Sequence, residues 1–270
     1  MQFGFIGAGN MVSAIVKGMT VGTGAYGGEQ IFITSKSGTS AENLAKKCGA
    51  NFCRTAAEVI ENSDVVILGV KPNVLSGLLP GLKEGFSKKK LLVVSIAAGK
   101  TIDFLEGFFS EETPVIRVMP NINAKIGAST TGLCVNQFVT EAQKTQVKEV
   151  FATIGTVQEI DEAQFSIFSV LGGASVAFAY LYMDALARGA LKAGMPKKQA
   201  LQITAETVLG SAKMILESQE HPWPLIDQVC SPGGTTIEGV TALQAGGFES
   251  ILAKAFDAVL EKDQKLGEKK

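Results

Sequence analysis

Apolar residues fall along the first part of the chain in short, nearly unbroken runs, and along the remainder in spaced sets at helical intervals. The runs begin at Phe3 and recur at 31–34, 64–70, 91–96 and 115–119. A strand with one wet face alternates apolar and polar residues, so unbroken runs predict strands covered on both faces, as in a parallel sheet. Helical patterns lie between them, starting near Asn10, at 41–48 and at 55–62. The second helix has Thr39 or Ser40 as its N-cap and Gly49 as its terminator. A short strand at 51–53, and two more at 130–135 and 155–160 flanking a helix at 141–153, extend the sheet. Strand and helix in alternation predict an α/β architecture, a Rossmann-like doubly wound parallel sheet with right-handed crossovers.

From Asp161 the strands stop. Helices are predicted at 176–194, 197–218, 237–246 and 248–264, with Gly194-Met195-Pro196 and His221-Pro222-Trp223-Pro224 as breaks. The expectation is therefore a sheet domain over 1–160 followed by an all-helical C-terminal domain over 161–270, with a charged tail from Glu261 that frays. The stretch from Phe165 to Met183 carries no charge and approaches the length of a membrane span. Gly172-Gly173-Ala174-Ser175 interrupts it, and Asp184 and Arg188 follow, so burial all round, inside the domain or against a partner subunit, is the better reading.

Composition narrows the partners. With a formal net charge of -1 the chain has no basic surplus for nucleic acid or an anionic membrane, which leaves small molecules. Cys48, Cys53, Cys134 and Cys230 are scattered without metal-ligand spacing, as suits reduced thiols, and no metal site is expected. No basic region precedes an apolar leader at the N-terminus, so a cytoplasmic protein is expected.

The candidate chemistry starts at Gly7-Ala8-Gly9-Asn10-Met11-Val12, where a strand enters a helix. Glycines there allow a tight turn and close approach by a pyrophosphate, which the open N–H groups of the helix attract. The third glycine of the fingerprint is replaced by Val12, expected to widen the helix–strand spacing or shift the helix. The second strand ends in Thr34-Ser35-Lys36-Ser37. It has no acid for a ribose 2′-hydroxyl, and a hydroxyl beside a cation favours a 2′-phosphate, hence NADP; a polar turn capping the next helix is the alternative. Val70-Lys71-Pro72-Asn73 and Ala97-Ala98-Gly99 close two further strands, where ligands of such sheets bind; Lys71 reads equally as a ribose or phosphate contact and as a solvated cation.

His221 is the only histidine, so neither a serine triad nor a histidine relay is available. In Cys230-Ser231-Pro232-Gly233-Gly234-Thr235-Thr236, glycine N–H groups and two hydroxyls open a helix, forming a nest for a small carboxylate. Capping of that helix by Thr235 or Thr236 is the bland alternative.

Gly7-Ala8-Gly9-Asn10-Met11, Gly69-Val70-Lys71-Pro72, Ser95-Ile96-Ala97-Ala98-Gly99, Arg117-Val118-Met119-Pro120-Asn121 and Ser231-Pro232-Gly233-Gly234-Thr235-Thr236 together resemble, in order, the blocks of the pyrroline-5-carboxylate reductase family. The resemblance spans essentially the whole chain and is most specific at the last block, followed by Ala242-Leu243-Gln244-Ala245-Gly246-Gly247-Phe248. It implies NADPH-dependent reduction of a cyclic imine to proline. The implied cofactor residues are Ile6, Gly7, Ala8, Gly9, Asn10, Met11, Ser35, Lys36, Val70, Lys71, Pro72 and Ala97. The implied substrate residues are Met119, Asn121, Ser231, Gly233, Gly234, Thr235 and Thr236, with Thr236 also catalytic at the ring nitrogen. A homodimer through the helical domain is implied as well. The chain departs from the family at Val12, at Ala56 where an asparagine is usual, and at Gly173-Ala174-Ser175-Val176-Ala177-Phe178, which lacks a proline and a tyrosine. A reductase of a related imine or hydroxyacid, or a non-catalytic NADP-sensing subunit, are the alternatives. The hydroxyacid version is disfavoured because no lysine lies between Gly173 and Asp184.

Overall fold

Each apolar run becomes a strand whose alternate side chains face opposite layers of helices. The computed structural model describes residues 1–267, with side chains through 265. Two units are distinguished: Met1–Gly173 together with the chain from Lys262, and Ala174–Glu261.

The first unit contains β1 (Phe3–Ile6), α1 (Asn10–Lys17), β2 (Ile31–Thr34), α2 (Thr39–Cys48), β3 (Asn51–Phe52), α3 (Ala56–Glu61), β4 (Val65–Leu68), α4 (Pro72–Leu78), α5 (Lys83–Lys88), β5 (Leu92–Ser95), α6 (Ile102–Glu106), β6 (Val115–Met119), β7 (Ser129–Val135), α7 (Glu141–Ala152), β8 (Gly155–Glu159) and α8 (Phe165–Phe168). The sheet order is β3-β2-β1-β4-β5-β6-β7-β8. Strands β1 to β6 run parallel, β7 pairs antiparallel with β6, and β8 pairs parallel with β7. Phe3, Phe5, Ile31, Ile33, Val65 and Ile67 join α1, α2 and α7 in one core layer. Ile6, Val66, Leu68 and Val93 join α3 to α6 and Phe165 in the other. Burial on both faces is why the runs lack polar alternation.

Several local expectations change. Gly49 closes α2 in the left-handed region at φ 66°, but the helix begins at Thr39 on Gly38, and neither Thr39 nor Ser40 caps it. The 165–183 stretch is not broken at its glycines. A π-helical turn, Ser169–Ala174, joins α8 to the next helix, α9 (Ser175–Lys192), so the path stays helical. Asn121 Nδ2 donates to the Gly172 carbonyl at 2.8 Å, and a Cβ on Gly172 would lie 2.7 Å from the Phe168 ring, so the wide turn is held by a side-chain bond and packed by an aromatic. Packing also places 162–173 with the sheet: Phe165 and Val170 are buried in the first unit.

The second unit holds α9, α10 (Lys197–Ser218), α11 (Pro222–Val229), α12 (Thr235–Ala245) and most of α13 (Phe248–Gly267). Helix α11 replaces the expected break at 221–224. Its prolines occupy the first turn, where an amide N–H has no intrahelical partner to lose, and His221 Nδ1 accepts from the Trp223 amide as its cap. Helix α13 stays regular to Gly267 where fraying was expected; 268–270 lie outside the described residues. Asp184 accepts from Arg188 Nε at 2.6 Å and pairs with Lys197 Nζ at 2.7 Å, tying α9 to α10; these hydrogen bonds hold its carboxyl below the ordinary range.

Burial of α9 inside its own domain is not observed. Ala187 is its one buried residue, while Leu181 is 71% exposed and Leu186 49%. By length and hydropathy the helical stretch Glu162–Lys192 could cross a membrane, yet it carries the Asp184 ion pairs. Leu209, Leu216, Val229 and Ile251 are also more than half exposed. Large apolar side chains left exposed in this number mark a contact face.

Candidate functional site

Strand order brings the carboxyl ends of β2, β1, β4 and β5 side by side, and four of the predicted segments lie there. Gly7 takes φ 115°, its amide donates to the Thr34 carbonyl at 2.9 Å, and a Cβ on it would lie 2.5 Å from the Gly69 carbonyl oxygen. Glycine is compulsory there for the fold itself. Gly9 differs, having an ordinary extended conformation (φ -76°, ψ -177°) and nothing within 4 Å of an added Cβ. Its missing side chain keeps open the approach to the first amides of α1, which no side chain caps and whose turn contains no acid. Ile6 is buried in the sheet, Ala8 and Met11 pack half-buried on the core, and Asn10 is exposed. Val12 is accommodated from the strand side. It is fully buried where a Cβ on Gly69 would overlap its Cγ2, so Gly69, at the end of β4, supplies the close approach that the third glycine otherwise provides.

Ser35 Oγ accepts from the Ala41 amide at 3.2 Å and from the Ser40 hydroxyl at 2.9 Å. It therefore secures the first turn of α2, and its own hydroxyl proton remains available. Lys36 is exposed and has no ion pair among the described residues. Lys71 caps α4 through its backbone, with Pro72 at the first helical position and Val70 half-buried before it. Ala97, 4% exposed, donates its amide to Ser95 Oγ.

Two expected substrate residues close β6. Met119 Cε lies 3.4 Å from where a Cβ on Gly173 would be, beside the π-helical turn. Asn121 is 9% exposed, and both ends of its amide are occupied: Nδ2 on Gly172 and Oδ1 accepting from the Asn123 amide. Its side chain serves as a tie within the first unit.

The loop before α12 belongs to the second unit. Gly234 N donates to the Ser231 carbonyl at 3.0 Å across Pro232 and Gly233, the latter at φ 67°, which is a type II turn. Gly234 is the N-cap and brings no side-chain cap. The capping role read for Thr235 or Thr236 is thus absent: both are exposed, and neither hydroxyl is hydrogen-bonded among the described residues. Thr236 lines an apolar cavity of about 380 Å³ with Met214, Ile215, Ile226, Cys230 and Val240. Uncapped amides, a free hydroxyl and an apolar wall suit a small ring bearing a carboxylate.

One constellation escaped the sequence reading. Arg117, 8% exposed on β6, donates from Nη1 to Glu162 Oε1 at 2.9 Å and lies 4.2 Å over the Phe165 ring. Glu162 also accepts from the Ile102 amide at the start of α6. The available signal was an arginine inside an otherwise apolar run.

Residues 162–266 match the family described as pyrroline-5-carboxylate reductase dimerisation, and residues 2–99 match NADP oxidoreductase coenzyme F420-dependent. The chain is 37% identical over 265 residues to pyrroline-5-carboxylate reductase of Escherichia coli (strain K12), covering 98% of each. Its structure is similar to that of a pyrroline-5-carboxylate reductase from Coxiella burnetii, with a TM-score of 0.91, 32% identity and 98% of each chain covered. It is also similar to Plasmodium falciparum pyrroline carboxylate reductase with NADP bound, with a TM-score of 0.86 and 27% identity, covering 99% of this chain and 98% of that one.

Proposed function

The chain belongs to the pyrroline-5-carboxylate reductase family, and from that premise we propose that it is a cytoplasmic enzyme reducing the cyclic imine 1-pyrroline-5-carboxylate to proline, preferring NADPH to NADH. Residues 1–160 hold the cofactor, and residues 161–270 pair subunits and bind substrate. The observation that carries this reading is the Ser231–Thr236 loop, where no side chain caps the first amides of α12 and neither threonine hydroxyl is hydrogen-bonded among the described residues.

The residues at the carboxyl edge fit the cofactor, because Gly9 leaves open space over the α1 amides and Ser35 and Lys36 offer a proton and a charge. Reduced NADP, when bound, supplies the hydride. The chain's own part is positional. Amides of the Ser231–Thr236 loop hold the carboxylate, the cavity beside Thr236 receives the ring, and the Thr236 hydroxyl bonds the ring nitrogen. A protonated imine is already electrophilic, so orientation matters more than acid catalysis and no histidine relay is needed. The exposed apolar faces of α9 and α10 pair with a second copy, completing a homodimer.

Purified protein mixed with this imine and NADPH at neutral pH is expected to consume the cofactor faster than with NADH. Substrate-independent absorbance, or turnover only with a different imine, would reject the assignment. Thr236→Ala is expected to lower kcat about ten- to a hundredfold, the range of one charge-assisted hydrogen bond. Its melting temperature should stay unchanged, since the hydroxyl has no partner among the described residues. A parallel drop in stability would make the residue structural.

A further inference from the structure

The chain has three arginines, Arg54, Arg117 and Arg188. Two are engaged, Arg117 with Glu162 and Arg188 with Asp184. The Arg54 guanidinium has neither ion pair nor hydrogen bond among the described residues, and the residue is exposed.

Its position is well fixed. Strand β3 pairs with β2 through Phe32 against Asn51 and Ile33 against Phe52, and the Cys53 amide then donates to the Ile33 carbonyl at 2.9 Å. Arg54 follows directly, its amide donating to Glu58 Oε2 at 2.9 Å, and Thr55 caps α3 behind it. The neighbouring turn 35–38 leans on the same strand, since a Cβ on Gly38 would lie 3.6 Å from Phe52 Cζ. Arg54 and Lys36 therefore occupy adjacent loops at the carboxyl edge of the sheet, one after β3 and one after β2. Glu58 holds the Arg54 backbone and makes no ion pair with its side chain among the described residues.

We infer that Arg54 reads the cofactor's 2′-phosphate together with Lys36 and so determines the preference for NADP over NAD. The inference rests on the cofactor reading above. A guanidinium presents two parallel N–H donors to a phosphate, a geometry that the single ammonium of Lys36 cannot supply. Engaging a phosphate gives the one guanidinium left unpaired among the described residues a partner at the place where such a partner would bind. Ala56, the first residue of α3, has no polar side chain to share the task.

The test is equilibrium titration of NADPH and NADH, by cofactor fluorescence, into wild type, Arg54→Ala and Arg54→Lys, with thermal melts alongside. Arg54→Ala is expected to weaken NADPH by about tenfold or more and NADH by less than about twofold, with unchanged melting and only partial recovery in Arg54→Lys. Equal weakening of both cofactors, or unaltered NADPH binding in a variant of a wild type that binds it, would overturn the inference alone. A wild type that binds neither cofactor would overturn the cofactor reading and this inference together.

Discussion

Alanine at Gly7 is expected to destabilise the protein by about 3 kcal/mol or more, whereas alanine at Gly9, two residues on, should leave its melting unchanged and weaken the cofactor instead. The asymmetry follows from geometry. At Gly7 an added Cβ would sit 2.5 Å from the Gly69 carbonyl oxygen and 2.7 Å from its carbon, at φ 115°. The obstacle is backbone tied to Ile6 by a sheet hydrogen bond, so it cannot swing aside. Conformational strain of about 1–3 kcal/mol adds to overpacking of about 1–3 kcal/mol. At Gly9 the backbone suits any residue and the space is empty. A methyl there stands where a pyrophosphate must approach the α1 amides, and it should weaken NADPH by about 1–3 kcal/mol, roughly five- to 150-fold. Thermal melts at matched protein concentration and NADPH titration separate the two outcomes. Wild-type cofactor affinity in Gly9→Ala would remove this turn from the cofactor site.

Arg117→Ala is expected to cost about 3–5 kcal/mol, the penalty for stranding one partner of a buried ion pair. The Arg117 and Glu162 side chains are 9% and 29% exposed, so water can hydrate neither charge fully. The loss would also uncover the Phe165 ring beneath the guanidinium. Replacing both partners should recover most of the stability if the Ile102 amide keeps an acceptor, which Arg117→Met with Glu162→Gln provides. Denaturant titration of the single and double variants measures both. A single-variant loss below about 1 kcal/mol would mean that solvent reaches the pair. Cys134, paired with Arg117 across β6 and β7, feels the same environment: burial foremost, then Glu162, push its thiol up to about 12, so it should resist alkylation in the folded state.

The strands were legible because covering a sheet on both faces leaves an unmistakable signature, as at 31–34 and 115–119, where prediction and structure coincide. Helix α11 was not, because Pro222 and Pro224 break a helix interior but favour a first turn, and local sequence does not reveal which position they hold. The π-helical turn was hidden for a similar reason. Gly172 and Gly173 read as a break until Phe168 and the Asn121 amide are seen to support the path from elsewhere in the chain. Asn121 was recognised as a site residue, but only the fold reveals that its side-chain amide is already engaged within the chain.

The sequence by itself determined the alternation of strand and helix, the glycine turn at Gly7 and Gly9, the absence of an acid after the second strand, and the Ser231–Thr236 nest. These are local properties, set by side-chain period and by the backbone freedom of a few residues. The tertiary structure decided what each local feature does. It matched Val12 to Gly69, gave Ser35 to the first turn of α2, left both threonine hydroxyls unused by the helix they head, and set Arg54 and Lys36 on adjacent loops. The Val12–Gly69 contact and the neighbouring loops of Lys36 and Arg54 depend on segments distant in sequence that meet only when the sheet assembles, whereas the Ser35 and threonine outcomes are local hydrogen-bond geometries that side-chain period does not specify.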